Sequence, residues 1–229
     1  MAAWARGVVP TSKIHLIPNP VRVEPTPDDA PPALASLIDE RAIVAVGRMS
    51  PEKGFDLLID AFARVHAGRP EWRLVILGEG TERPRLEAQI KRLGLRAAVE
   101  LPGTVPDPAE AFRRAGIFAL SSRIEGFPNA LLEAMAAGLP VVAADCPYGP
   151  AEIVQDEWNG MLVPVGNADA LATGLLRLID DPELRARLGA RATSVAEAYS
   201  PEKIMGSWNR VVADACARRP RAPVPGGQR

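Results

Sequence analysis

The chain has 229 residues, 47% of them hydrophobic and 24% charged, with a formal net charge of −1. That is enough chain for one sizeable core with room for a smaller lobe, and the near-zero charge offers no bulk attraction to nucleic acid. Two cysteines, Cys146 and Cys216, exclude a disulfide framework. No apolar run approaches the ~20 residues of a membrane span, and the N-terminus reads without the apolar region of a signal peptide, so a cytoplasmic protein is the expectation.

Residues 1–40 read as a connecting segment. Thr11 to Val21 contains a short strand and a Pro-punctuated turn, and Glu24 to Pro32 is a Pro- and Asp-rich linker by composition. Residues 41–198 alternate apolar strands with helices. Ala42–Val46 is a strand, followed by the loop Gly47-Arg48-Met49-Ser50-Pro51-Glu52-Lys53-Gly54 and an amphipathic helix from Phe55 to about His66. Strand Trp72–Leu77, the turn Gly78-Glu79-Gly80 and a helix from Glu82 to Leu93 come next. Strand Ala97–Leu101, a turn at Gly103 to Asp107 and a helix Pro108–Ala115 complete a third unit. Strand Ile117–Leu120 opens a fourth, with a helix Asn129–Ala137 and a following strand to Ala144. Met161–Val163 is an edge strand. Helices are then expected at Ala168–Leu178, Pro182–Ala198 and Pro201–Ala217. Residues 199–229 form a final helix and a basic, Pro/Gly-rich tail, Arg218 to Arg229, expected to be disordered. The alternation predicts an α/β doubly wound parallel sheet of the Rossmann-like type, at about residues 41–165, with extra C-terminal helices.

Two loops carry charge that asks for a ligand. Arg48 and Lys53 lie five residues apart in a Gly-bounded loop after a strand. There they can converge on one diphosphate, with solvated loop charges as the alternative. In the fourth unit, Pro128 suits the first helical position and Gly138 the residue past the helix end. The helix reads as apolar on every side except at Glu133, hence buried all round, and a ligand with hydroxyls accounts best for that carboxylate. The first-turn amides of this helix make an anion site. Glu133 lies roughly 7–8 Å further along the axis at ~1.5 Å per residue, about the span from a diphosphate to its ribose. Glu125, in the loop before the helix, is then placed on the far side of the phosphates, where a sugar would be. A charge favourable to the helix N-terminus is its other reading.

The stretch EGFPNALLEAMAAGLPVVA, with Glu125 and Glu133 in an E-x7-E arrangement, resembles the retaining glycosyltransferases of the GT-B fold, specifically family 4, the group 1 type. The resemblance implies that Glu133 holds the nucleotide ribose and Glu125 faces the donor sugar. It implies that the backbone of Gly126, Phe127, Pro128, Asn129, Ala130 and Leu131 touches sugar and phosphate. The G-R-x4-K run at Gly47, Arg48 and Lys53 resembles the family's signature for neutralising the leaving diphosphate. Gly-Glu-Gly at Gly78, otherwise a tight turn, is implied to lie near the nucleotide, and Thr104 and Val105 near the base. Many relatives carry Gly-Gly where this chain has Tyr148-Gly149-Pro150. KIHLIPNPV resembles the segment that joins the two GT-B domains. The chain is therefore expected to start near the end of the acceptor-binding domain and to hold the donor half.

The expected activity is transfer of a hexose or N-acetylhexosamine, with retention, from a nucleotide diphosphate sugar, UDP-linked by expectation. The expected acceptor is a carbohydrate or a lipid-linked molecule. Glu125, Arg48 and Lys53 are the expected catalytic groups. No cofactor is expected, and with no D-x-D triplet and no Cys/His cluster, no metal. The alternatives are a non-catalytic nucleotide-sugar-binding module, half of a split enzyme whose N-terminal acceptor domain acts in trans, or an epimerase of GT-B architecture. The basic tail gives a membrane surface as a secondary expectation, with no partner in nucleic acid.

Overall fold

The computed structural model of the chain describes residues 14–21 and 36–217. The linker expected at Glu24 to Pro32 and the tail from Arg218 lie outside the described residues. Six strands pair in one parallel sheet: β1 (Ala42–Val46), β2 (Arg73–Leu77), β3 (Val99–Gly103), β4 (Ile117–Leu120), β5 (Val141–Asp145) and β6 (Met161–Pro164). Their spatial order is β3-β2-β1-β4-β5-β6.

The side-chain period of two builds two cores from the same strands. Ile43, Ala45, Leu74, Ile76, Ile117 and Val142 face one layer, and Ala42, Val44, Val75, Phe118, Leu120 and Val141 face the other. Helices cover both faces, which is why the strands are almost continuously apolar. Against the first layer pack α1 (Phe55–Gly68), α2 (Arg83–Arg92), α6 (Ala168–Asp180) and most of α7 (Pro182–Ala192). Against the second pack α3 (Ala109–Arg114), α4 (Asn129–Ala136), α5 (Pro150–Ile153) and α8 (Ser194–Ala198). A final helix, α9 (Pro201–Ala217), follows.

The structure corrects several sequence expectations. Residues 14–21 form no strand, and Thr11 to Lys13 of the stretch in which one was expected lie outside the described residues. That segment is held instead by the buried Val21 side chain and by its N–H, which donates to Tyr199 O at 2.9 Å. The helix expected to be continuous over Pro182–Ala198 breaks at Thr193, whose hydroxyl donates to Ala190 O at 2.8 Å and competes with the helical ladder. Pro51–Lys53 forms a 3-10 turn that the sequence did not announce. Pro128 is the N-cap of α4 rather than its first helical residue, with ψ of 77°. On α9, Ile204 is buried, while Trp208, Val212 and also Met205 are exposed.

Candidate active site

In a doubly wound sheet, ligands bind beyond the carboxyl ends of the strands where the strand order reverses. Here that point lies between β1 and β4, paired with Ile43 opposite Ile117 and Val44 opposite Phe118. The chain leaves β1 toward α1 on one face and leaves β4 toward α4 on the other. The two loops that part at this crevice are the one bearing Arg48 and Lys53 and the one bearing Glu125.

The structure joins these loops through one charge pair. Lys53 Nζ donates to Glu125 Oε1 at 2.7 Å, and Ser122 Oγ donates to the same oxygen at 2.6 Å. Glu125 is only 8% exposed, so the two donors offset what burying its charge would otherwise cost. An ammonium has three N–H donors and Glu125 takes one, which leaves donors for an incoming anion. Arg48 is exposed, and no described residue makes a hydrogen bond or ion pair with its guanidinium. Gly47 lies under Lys53, and Gly78 lies on Gly47. With φ at 141°, a side chain at Gly78 would put its Cβ 1.9 Å from Gly47 O, so only glycine lets the second strand's loop approach so closely.

On the far side of the crevice, Pro128 gives α4 no side-chain cap, and the Asn129 N–H turns back to Phe127 O at 3.0 Å. The amides of Ala130 and Leu131 have no acceptor among the described residues. A helix N-terminus so left is an anion site. The Leu131 side chain is fully buried, so it offers a ligand its backbone alone. Gly126 and Asn129 are exposed and Phe127 is half-buried, its ring 6.1 Å from that of Tyr199.

Glu133 departs from expectation. The helix is not buried all round: Asn129, Glu133 and Ala137 are exposed on one stripe at four-residue spacing, while Leu131, Leu132, Ala134 and Met135 face the core. Glu133 is exposed, yet surrounding protein, and secondly the charge of Asp107, push its carboxyl above the ordinary value of 4.5. The turn after β3 that bears Asp107 also holds exposed Thr104 and half-buried Val105. Glu133 thus stands on the exposed stripe of α4, and no described residue makes a hydrogen bond or ion pair with its carboxylate.

Sequence reasoning gave no site role to Ser122, Asn19 or the loop after β5. Asn19 Nδ2 donates to Asn129 Oδ1 at 2.9 Å, which ties the N-terminal segment to the start of α4. Pro147 O accepts the Glu125 N–H at 3.4 Å. Tyr148 has a φ of 68° and Gly149 of 120°, so this loop keeps glycine-like backbone despite carrying a tyrosine. Cys146 is buried, and burial first and Glu125 second push its thiol up to about 11; it stays protonated. Among the described residues, no three His, Cys, Asp or Glu side chains converge as a metal site would require.

This arrangement, a parallel α/β layer with a cationic loop, a buried carboxylate and an open helix N-terminus at one switch point, is that of the C-terminal domain of GT-B glycosyltransferases. The family described as Glycosyl transferases group 1 matches residues 29–195, and the chain belongs to it. It is 37% identical over 185 residues to the exopolysaccharide phosphotransferase SCO2592 of Streptomyces coelicolor, covering 80% of this chain and 20% of that protein. It is 34% identical to the amylovoran biosynthesis glycosyltransferase AmsD of Erwinia amylovora, covering 76% of this chain and 48% of that one. Among solved structures it resembles a point mutant of S. aureus TarM in complex with fondaparinux, alpha-GlcNAc-glycerol and UDP, with TM-score 0.81, 26% identity, and 92% and 41% of the two chains covered. It also resembles the C-terminal domain of LpcC, a group 1 family glycosyl transferase of Francisella tularensis, with TM-score 0.65, 28% identity, and 73% and 91% covered. The chain spans a fifth of the length of the first relative and about half of the second.

Proposed function

We propose that this chain binds the donor of a retaining glycosyltransferase: a hexose or N-acetylhexosamine carried on a nucleotide diphosphate, most simply UDP. The acceptor is a carbohydrate or a lipid-linked molecule. One observation carries the reading. Lys53, Glu125 and the uncapped start of α4 meet at the switch point, where a diphosphate needs cations and amides and a sugar needs an acceptor for its hydroxyls. The UDP bound to the similar S. aureus protein supports the choice of nucleotide.

Transfer breaks the bond between the sugar and the diphosphate, so catalysis rests on stabilising charge on the departing phosphates. In this reading Arg48, Lys53 and the Ala130 and Leu131 amides do so. Glu133 accepts from the ribose hydroxyls, and Glu125 faces the sugar. All of these are protein groups, and the proposal needs no metal or cofactor. The test is incubation with labelled UDP-hexoses and UDP-N-acetylhexosamines and with glycan and lipid-linked acceptors, the product's anomeric configuration being read by NMR. A product with inverted configuration, or no product with any donor even after a matching N-terminal domain is added, contradicts the reading.

A second reading is favoured by the chain spanning about half of AmsD and by the exposed apolar side of α9. It is a donor-binding module whose acceptor surface comes from another domain, in cis or in trans. Donor binding without turnover, rescued by such a domain, marks this case.

A further inference from the structure

Taking the donor reading as its basis, we propose that Arg123 and Asp56 are a positioning pair. They hold the turn that carries Lys53 against the loop that carries Glu125, so that diphosphate and sugar are gripped by one unit and not by two independent loops.

The turn Pro51–Lys53 contains no buried residue, so apolar packing does not fix it. Polar ties do, and each of its three carbonyls is taken by the loop after β4. Arg123 Nη1 donates to Pro51 O at 2.7 Å, the Arg123 N–H to Glu52 O at 2.7 Å, and Ser121 Oγ to Lys53 O at 2.9 Å. The turn ends at Gly54, with φ of 63°, where a Cβ would stand 2.2 Å from Ser121 O; backbone meets backbone there.

Arg123 anchors this seam to the first turn of α1. Its Nη1 and Nη2 donate to Asp56 Oδ1 and Oδ2 at 2.9 and 2.8 Å, a bidentate pair that fixes orientation as well as charge. Burial raises the Asp56 carboxyl, but the Arg123 hydrogen bond and charge, with the Leu57 N–H and Arg85 adding to them, leave it below its ordinary value. The other cation near Asp56, Arg85, is 4.0 Å away and largely exposed. One guanidinium thus binds the α1 side chain and the turn's first carbonyl together, two residues before the carboxylate that Lys53 must meet. Neither Arg123 nor Asp56 needs to touch the donor. They act through Lys53.

The test is a double-mutant cycle read by UDP calorimetry, with hydrogen exchange of the 48–54 amides alongside. Arg123→Ala and Asp56→Asn are each expected to weaken UDP by about tenfold. In a Lys53→Met background, Arg123→Ala is expected to change UDP affinity by less than about twofold, because its effect is exerted through the missing ammonium. Exchange at 48–54 should quicken in both single variants, with the amides of β1 and α6 unchanged. Fully additive losses in the Lys53→Met background, wild-type UDP affinity in Arg123→Ala, or unaltered exchange at 48–54 would each overturn the proposal. Absence of UDP binding by the wild-type chain would count against the donor reading instead, and the exchange arm still decides whether the pair holds the turn.

Discussion

Lys53 Nζ lies 2.7 Å from Glu125 Oε1, although the two residues are 72 positions apart in sequence. The side chain of Glu125 is 7% exposed and that of Lys53 27%, so the pair is closed beneath and open on the ammonium side. Each member stands just past one of the two strands that flank the switch point. The contact turns two separate loops into one polar floor at the switch point.

Removing the two cations should therefore have different consequences. Arg48→Ala and Lys53→Ala should each weaken UDP by about 1.5–3 kcal/mol if each makes a charged hydrogen bond to phosphate. Only Lys53→Ala should also lower the melting temperature, because it strips Glu125 of its cation. Arg48 is exposed, and its loss should shift stability by no more than ~0.5 kcal/mol. Calorimetry and thermal unfolding of both variants check this; unchanged UDP affinity in both rejects the assignment.

Glu133 predicts a pH dependence with a definite sign. Its folded carboxyl is raised above 4.5, so the folded state prefers it protonated. The stability tied to that preference is fully present below the ordinary value and is lost as pH rises through the raised one. Glu133→Gln should then make the free protein more stable than wild type at neutral pH, the difference vanishing in acid. Ribose hydroxyls donating to the ionised group should make wild-type UDP affinity rise with pH across the same window, and the Gln variant should lose that rise. A flat wild-type profile from mildly acidic to neutral pH would show that Glu133 does not accept from the nucleotide.

Much of this was legible in the chain. The alternation of apolar strands with helices fixes a parallel doubly wound sheet, and the start of α9 was read directly because Pro201 opens it cleanly. Lys53 and Glu125 were each singled out, but their direct pairing was not, since it depends on β1 and β4 being neighbours, a fact of topology that no local spacing states. Arg123 and Asp56 were missed for the same reason, since their bond joins the loop after β4 to the first turn of α1; Ser122 was missed although its bond to Glu125 spans only three residues of one loop. The burial of α4 was misjudged because alanine is compatible with either side of a helix, so Ala130 and Ala137 concealed the open stripe on which Glu133 lies. No strand forms over residues 14–21, where the sequence offered one before Val21.

UDP binding should survive a strong chelator. The groups assigned to the diphosphate are Arg48, Lys53 and the amides of Ala130 and Leu131, and none of these is a metal ligand for a hard cation. A titration in EDTA that shows binding only after magnesium or manganese is restored reverses that assignment.

Met205, Trp208 and Val212 on α9 are 56%, 49% and 55% exposed, at spacings that put them on one side of the helix. Contiguous apolar surface of this kind favours association. The isolated chain should sediment as a concentration-dependent mixture, and Trp208→Gln should shift it toward monomer. A wild-type chain that remains monomeric at high micromolar concentration contradicts this.

The most direct test of the account is calorimetric titration of the wild-type chain with UDP and with UDP-sugars, in parallel with Lys53→Met and Glu133→Gln. The account predicts saturable one-to-one binding of UDP, weakened in both variants, with UDP-sugars competing for the same site. No binding of UDP or of any other nucleoside diphosphate by the folded wild-type chain would contradict the assignment of this crevice as a nucleotide-sugar site.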